Sequence, residues 1–231
     1  MRRTEVSQAA PSIAVVIPAL DEARNLPWLF ERMPAGVRVV VADNGSSDGT
    51  ADVARHLGAE VVSESRRGYG AAVWAGTSHL ATDPPEVLVI IDADGADDPG
   101  QLHRLVDPIL SDDYDFVLSQ RMPEPGALTL AQRFGNRLAT TLMRHRSGHR
   151  FTDLGPFRAI RWTAYAALAM QDRTWGWNVE MQLKAVRHKL RILEIPLPYR
   201  RRREGSSKIS GEIRSAARAG AKILWAVAKY G

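Results

Sequence analysis

The chain has 231 residues, 45% of them hydrophobic and 25% charged, which fits one large α/β domain, alone or with a small appendage. It has no cysteine, so disulfides and thiolate metal sites are excluded. It also has no run of the roughly 20 apolar residues that a membrane-crossing helix needs, so any membrane contact is made from the surface. The net charge of +5 is uneven: residues 83–115 hold ten Asp or Glu against one Arg, and residues 200–222 hold eight Lys or Arg against two Glu, which suits a phosphate-rich ligand.

Residues 1–11 lack an apolar run, so they read as a flexible N-terminus and not as a secretory signal, and a cytoplasmic location is expected. Ile13–Ile17 is a buried-type strand ending in Pro18-Ala19-Leu20-Asp21-Glu22, where Asp21 is expected to cap the following helix. Val37–Ala42 is the next strand. The polar loop Asp43–Thr50 after it puts Asp43 at a strand's carboxyl end, able to accept hydrogen bonds from a ribose or base, while Asp48 closes the loop or caps the helix from Ala51 to Leu57. A short strand, Ala59–Ser63, leads to Gly68-Tyr69-Gly70 at the start of a helix, where glycines let backbone N–H groups approach an anion; the full dinucleotide spacing is missing.

Glu86–Ile91 reads as a buried strand, and Asp92-Ala93-Asp94-Gly95 follows it directly. Two carboxylates at the carboxyl edge of a strand lie where open α/β sheets bind ligands. They either form an acidic turn or hold a hard divalent ion such as Mg²⁺ or Mn²⁺. A helix from Asp98-Pro99, a strand over Tyr114–Leu118 and a helix over Leu128–Met143 follow, then a basic cluster at residues 144–150 whose usual fate is a solvated face. The alternation through residue 110 predicts a mostly parallel sheet flanked by helices. Beyond about residue 121 the chain is more helical and richer in arginine. Phe151–Arg161 is expected to be a turn between apolar segments. Helices are expected over Trp162–Met170 and Val179–His188, with Glu180 in the first turn of the second, and a strand over Leu190–Ile195 stiffened afterwards by Pro196 and Pro198. A basic loop, Arg200–Lys208, precedes a last amphipathic helix, residues 209–231, which is either interfacial on an anionic membrane or packed on the domain or in a homo-oligomer. The basic end lacks interleaved aromatics that would stack bases, so nucleic acid is not expected as a partner.

Four pieces in order, the Pro18–Glu22 turn, the Asp43–Thr50 loop, Asp92-Ala93-Asp94 and Arg202-x-x-Gly205-x-Ser207-Lys208, resemble family-2 glycosyltransferases of the GT-A fold over nearly the whole chain, and most of all the polyprenyl- and dolichyl-phosphate hexose synthases. The resemblance implies a glycosyltransferase domain over residues 12–208 that moves a hexose, with inversion, from a UDP- or GDP-sugar to a lipid phosphate. The alternative keeps the reaction and takes a soluble or glycolipid hydroxyl. It implies that Pro18, Ala19, Glu22, Asp43 and Asp92 line the nucleotide site, with Gly70 beside them. Asp92 and Asp94 would hold the metal, Arg202, Ser207 and Lys208 the donor diphosphate, and Arg121 and Arg133 an acceptor phosphate. Ala96 departs from the family pattern, where Gln is a frequent further metal contact. A hydroxyl acceptor would need a base, for which Asp153 or Glu180 is available, each with a structural role as its competing reading. A sugar-phosphate nucleotidyltransferase and a non-catalytic membrane-binding module are the more remote readings.

Overall fold

The computed structural model describes residues 12–204 and 213–231. The flexible N-terminus expected over residues 1–11 and the pair Ser207 and Lys208 lie outside the described residues. The elements alternate as β1 (Ile13–Ala19), α1 (Leu26–Glu31), β2 (Arg38–Asp43), α2 (Thr50–His56), β3 (Glu60–Ser63), α3 (Tyr69–Leu80), β4 (Val87–Ile90), α4 (Leu102–Leu110) and β5 (Phe116–Pro123). The chain continues through α5 (Leu130–Ser147), β6 (Arg158–Arg161), α6 (Trp162–Leu168), α7 (Trp177–Arg187), β7 (Ile192–Tyr199) and α8 (Ile213–Tyr230).

The strands form one sheet in the order β3-β2-β1-β4-β6-β5-β7. Successive residues of β1 point to opposite faces. Ala14 and Val16 join one core with Val40, Leu88, Ile90 and residues of α3, α7 and α8, and Val15 and Ile17 join a second with Val41, Val89 and residues of α1 and α4. Both faces are covered, which is why these strands read as unbroken apolar runs and not as alternating patterns.

The mostly parallel expectation is modified at one strand. β6 runs antiparallel to both β4 and β5 and separates them, within the stretch expected to be a turn. Arg-Ala-Ile-Arg is too short and too charged at its ends to carry a readable period, and its place is set by partners on either side. β5 and β7 also run further than expected, pairing in parallel from Phe116↔Ile192 to Pro123↔Tyr199 straight through Pro196 and Pro198. β7 closes the sheet order, so an edge strand tolerates the missing N–H donors. α1 begins at Leu26, with Asn25 at its N-cap position, so Asp21 is not the cap. Asp21 sits in a left-handed conformation, φ 51°, and accepts the Ser47 N–H at 2.8 Å. It ties the turn after β1 to the loop after β2. Asp48 closes that loop, accepting from Thr50 N–H at 3.0 Å and from Ala23 N–H at 3.0 Å.

Candidate active site

The carboxyl ends of β1, β2 and β4 open into a cleft of about 440 Å³. Its walls include Pro18, Ala19, Leu20 and Glu22 from the turn after β1, and Asn44 from the end of β2. Arg67, Gly68 and Tyr69 come from the entry to α3, Asp92 and Asp94 from the end of β4, and Arg121, Tyr199 and Arg202 from β5, β7 and the segment beyond.

Two loops build the side of the cleft expected to take the donor. Glu22 N–H donates to Thr50 Oγ1 at 2.8 Å, and Asp21 N–H to Ser46 Oγ at 2.9 Å, so the turn after β1 is stitched to the loop after β2. Asn44 fixes the next wall. Its Nδ2 donates to the Glu64 and Arg66 carbonyls at 3.0 and 2.8 Å, and its Oδ1 accepts the Gly68 N–H at 2.8 Å. Asp43 is buried beside Ala19, and its carboxylate turns back to the Ser46 N–H at 3.3 Å, so Asn44 and not Asp43 reaches the cleft wall. Gly70 corrects the anion-cradle expectation. Its N–H is spent on Thr174 O at 3.1 Å and that of Ala71 on Arg173 O at 2.9 Å. A Cβ on Gly70 would lie 2.7 Å from Asp172 O, so glycine is there because the 172–174 segment packs against it.

At the centre, Gly95 turns the chain in the left-handed region, φ 71°, directly after Asp94. A Cβ there would lie 2.8 Å from Arg203 Cδ, because the segment after β7 crosses close by. Arg200 N–H donates to Ala96 O at 2.8 Å and Arg203 N–H to Asp94 O at 3.2 Å, fixing that crossing. It delivers Arg202 to the acids: Nη1 reaches Glu22 Oε1 at 2.6 Å and Nη2 lies 3.5 Å from Asp94 Oδ2. Burial alone would depress the Arg202 guanidinium, but Asp94 and Glu22 outweigh it and hold it above its ordinary value.

Asp92 Oδ1 is shut off from solvent and has no hydrogen-bond partner among the described residues. Burial, then the charge on Asp94, pushes the Asp92 carboxyl up to about 7. Asp97, buried beneath, is pushed up for the same reasons. A crowded anionic site with an orphaned carboxylate oxygen fits a hard divalent cation, which such sites hold through one or two carboxylates plus phosphate oxygens and water. Among the described residues no group of three or more His, Asp or Glu is arranged to hold a metal, so further ligands would come from outside the chain. Ala96 offers only its backbone, donating its N–H to Asp94 Oδ1 at 3.0 Å.

The raised Asp92 pKa has a stability consequence. The unfolded chain ionises this group near pH 4, while the folded protein keeps its proton up to about 7. Metal-free stability is therefore lost as pH rises through that window and levels off above it. Asp92→Asn removes this loss, so its melting temperature without metal should exceed that of the unsubstituted protein at pH 8, with little gain at pH 4. Thermal melts at the two pH values measure it, and an equal or lower melting temperature at pH 8 would contradict the assignment.

The side expected to take the acceptor departs most from expectation. Arg121 does line the cleft, but Asp153 holds it: Nε and Nη2 donate to Oδ2 and Oδ1 at 2.8 and 2.7 Å, and the Arg121 backbone N–H adds a third bond at 2.9 Å. The guanidinium lies over Tyr199, 5.2 Å from the ring centroid. Asp153 therefore positions Arg121 and is not placed to act as a base. Glu180 is fully buried on α7, away from the cleft walls. Its carboxylate accepts the Gln171 and Asp172 N–H groups at 2.8 and 2.6 Å and pairs with Lys184 at 2.7 Å. Such a group staples the α6–α7 connection and cannot reach a substrate. Glu180→Gln should lower stability by about 1–3 kcal/mol with kcat almost unchanged. A collapse of kcat in a folded variant would restore Glu180 to the chemistry. Arg133 is exposed on α5 and does not line the cleft; its neighbour Gln132 does.

Sequence reasoning missed Tyr69, Gln132 and Tyr199. Tyr69 stacks with Trp175 at 6.4 Å, closing one side of the cleft. The one sequence signal for Tyr69 was its position between two glycines at a helix start. Tyr199 carried none, because its strand was expected to end before the prolines.

The glycosyl transferase family 2 model matches residues 14–168, which span β1 to α6 and include the paired acids and Arg121. An uncharacterised glycosyltransferase of Mycobacterium tuberculosis is 39% identical over 212 residues, covering 90% of this chain and 94% of that protein. A dolichyl-phosphate hexose transferase of Haloferax volcanii is 32% identical, covering 85% and 86%. Among solved structures, glucosyl-3-phosphoglycerate synthase of Mycobacterium tuberculosis, with Mn²⁺, UDP-glucose and phosphoglyceric acid, superposes with a TM-score of 0.77 at 21% identity, covering 95% of this chain and 79% of that one. The fold is the GT-A fold. With two thirds of its length under one family model and a cleft assembled at the strand ends that model spans, the chain belongs to glycosyl transferase family 2.

Proposed function

We propose that the cleft transfers a hexose from a nucleoside diphosphate sugar to a soluble, anionic hydroxyl acceptor, with inversion at the anomeric carbon. The observation that carries the transferase reading is the meeting of Asp92 and Asp94 with Arg202 in one cleft walled by Pro18–Leu20 and Asn44. Asp92 and Asp94 would hold Mg²⁺ or Mn²⁺, which when bound offsets charge on the departing diphosphate. Arg202 already sits between Glu22 and Asp94, where it can turn one fork of its guanidinium to the diphosphate. Pro18, Ala19 and Leu20 pack on the base, with Asp43 and Asn44 bracing that wall; Ser207 and Lys208 would add donors to the diphosphate. Arg121, immobilised by Asp153 and Tyr199, keeps Nη1 unbonded among the described residues and offers it to the acceptor's anionic group.

The soluble acceptor is supported by the likeness to phosphoglycerate-dependent synthases of the same fold. A second reading, transfer to a polyprenyl phosphate, has one geometric observation in its favour. A hydroxyl must lose a proton, and with both carboxylates expected to take it, Asp153 and Glu180, engaged, that proton would pass to solvent water in the cleft and not to a positioned base. A phosphate acceptor arrives ionised and needs only positioning. The likeness to the dolichyl-phosphate transferase points the same way. Among the described residues no helix is long and apolar enough to cross a membrane.

The test is release of nucleoside diphosphate from UDP- and GDP-hexoses with Mn²⁺, with phosphoglycerate or with undecaprenyl phosphate in detergent. Release dependent on the soluble acid is expected, and NMR of the product should show the inverted anomer. Release with the lipid phosphate alone would replace the first reading by the second. No release with any donor would overturn the transferase reading.

A further inference from the structure

α5 stands partly clear of the body. Its second half is anchored by buried Ala139, Thr140 and Met143, whereas residues 129–134 are exposed without interruption. Its start is held by its own capping box: Thr129 Oγ1 accepts the Gln132 N–H at 3.2 Å, and Gln132 Oε1 accepts the Thr129 N–H at 2.8 Å. On this capped, protruding half, Leu130, Phe134 and Leu138 recur at every fourth position and so share one stripe. They are 86%, 70% and 40% exposed, and Met122 at the end of β5 is 54% exposed. Single exposed apolar side chains are ordinary, but an aligned series on one face marks an interaction surface.

The charges around the stripe select the partner. Arg133 and Arg137 line one edge of it and Ala131 and Gly135 the other, and the helix as a whole carries four Arg and one His with no Asp or Glu. An apolar stripe with arginines along one edge and no carboxylate on its helix matches the headgroup boundary of an anionic leaflet, with acyl chains below and phosphates at the level of the arginines. The last helix, for which the sequence raised the same role, turns part of its described end, residues 221–231, to the body. α8 buries Ala226, Val227 and Tyr230 against the body, and its outward Trp225 lies between Lys222 and Lys229, 4.5 and 4.7 Å from the ring centroid.

We propose that the N-terminal half of α5 docks on an anionic lipid bilayer, with Leu130 and Phe134 entering the headgroup boundary and Arg133 and Arg137 meeting lipid phosphates. Gln132, two residues before Phe134 and so on the opposite side of the helix from the stripe, borders the cleft, so docking places the cleft across α5 from the lipid, roughly one helix diameter away. The surface goes beyond the transferase reading and is independent of which acceptor is used.

Flotation of the full chain with vesicles tests it, using phosphatidylcholine alone and a phosphatidylcholine–phosphatidylglycerol mixture. Binding is expected to the mixture and not to the neutral lipid, and should weaken with salt. Phe134→Asp should lower partitioning about tenfold, and Arg137→Gln about fivefold, both with an unchanged melting temperature because the sites are exposed. Nucleoside diphosphate release with a soluble acceptor, read on the same preparations, reports on the cleft separately. No binding to mixed vesicles, or binding unaltered by both Phe134→Asp and Leu130→Asp, would overturn the proposal. So would a dimer that Phe134→Asp splits in the absence of any vesicle binding, which would assign the face to a second copy of the chain.

Discussion

Asp94→Asn should reduce turnover at least about 100-fold, or roughly 2.7 kcal/mol of transition-state stabilisation, and should abolish the part of nucleotide binding that depends on a divalent ion. The substitution is chosen to spare the fold. Asn keeps an oxygen for the Ala96 N–H, now 3.0 Å from Asp94 Oδ1, and the backbone bond from Arg203 is untouched. What disappears is one of two negative charges at the end of β4. With Asp92 left alone, a hard cation loses half of the carboxylate charge the chain offers it. Arg202 retains Glu22 at 2.6 Å, so its placement survives. Melting temperatures with UDP or GDP, with and without Mn²⁺, separate the effects, since a ligand stabilises the folded state in proportion to its occupancy. The unsubstituted protein should show a larger shift with nucleotide and Mn²⁺ together than with nucleotide alone, and Asp94→Asn should show no such difference. A variant that retains the Mn²⁺-dependent shift would remove Asp94 from the metal site.

How much of this site could be read from sequence depends on how local its determinants are. Asp92 and Asp94 follow an apolar strand directly, and the strand's burial on both faces leaves them at its open carboxyl end; periodicity and one turn glycine suffice to place them. Pro18, Ala19 and Glu22 were legible for the same reason. Arg202 was found by its motif, although its pairing with Glu22, 180 positions earlier, could not be read from spacing. The failures are all non-local. β6 owes its existence to neighbours on both sides. Gly70 looked like an anion cradle because the segment that consumes its N–H lies a hundred residues downstream. Asp153 and Glu180 are carboxylates whose sequence surroundings reveal nothing of Arg121, Lys184 or the loop amides that occupy them. A carboxylate can be nominated as a base from sequence, but whether its lone pairs are free is a question of tertiary structure.

Asp153→Ala should be the most destabilising single change around the cleft, at about 3–5 kcal/mol, or a fall in melting temperature on the order of 10 °C for a chain of this size. The side chains of Arg121 and Asp153 are 14% and 6% exposed, and three hydrogen bonds join them. Removing the carboxylate takes away what raises the Arg121 pKa but leaves a guanidinium that is still charged, because its ordinary value lies too far above 7 for burial to bring it to neutrality. The backbone N–H of Arg121 loses its acceptor at the same time. Turnover should fall with stability, because Arg121 is then free to leave the Tyr199 ring. The paired variant Arg121→Met with Asp153→Leu distinguishes positioning from general damage. It removes both charges, so no ion is left buried alone, and much of the lost stability should return. Turnover should not return with it if Arg121 meets the acceptor's anionic group as proposed. Urea unfolding and steady-state kinetics on the two variants measure both quantities. If the paired variant regained activity along with stability, Arg121 would be a structural ion and the acceptor would be held elsewhere in the cleft.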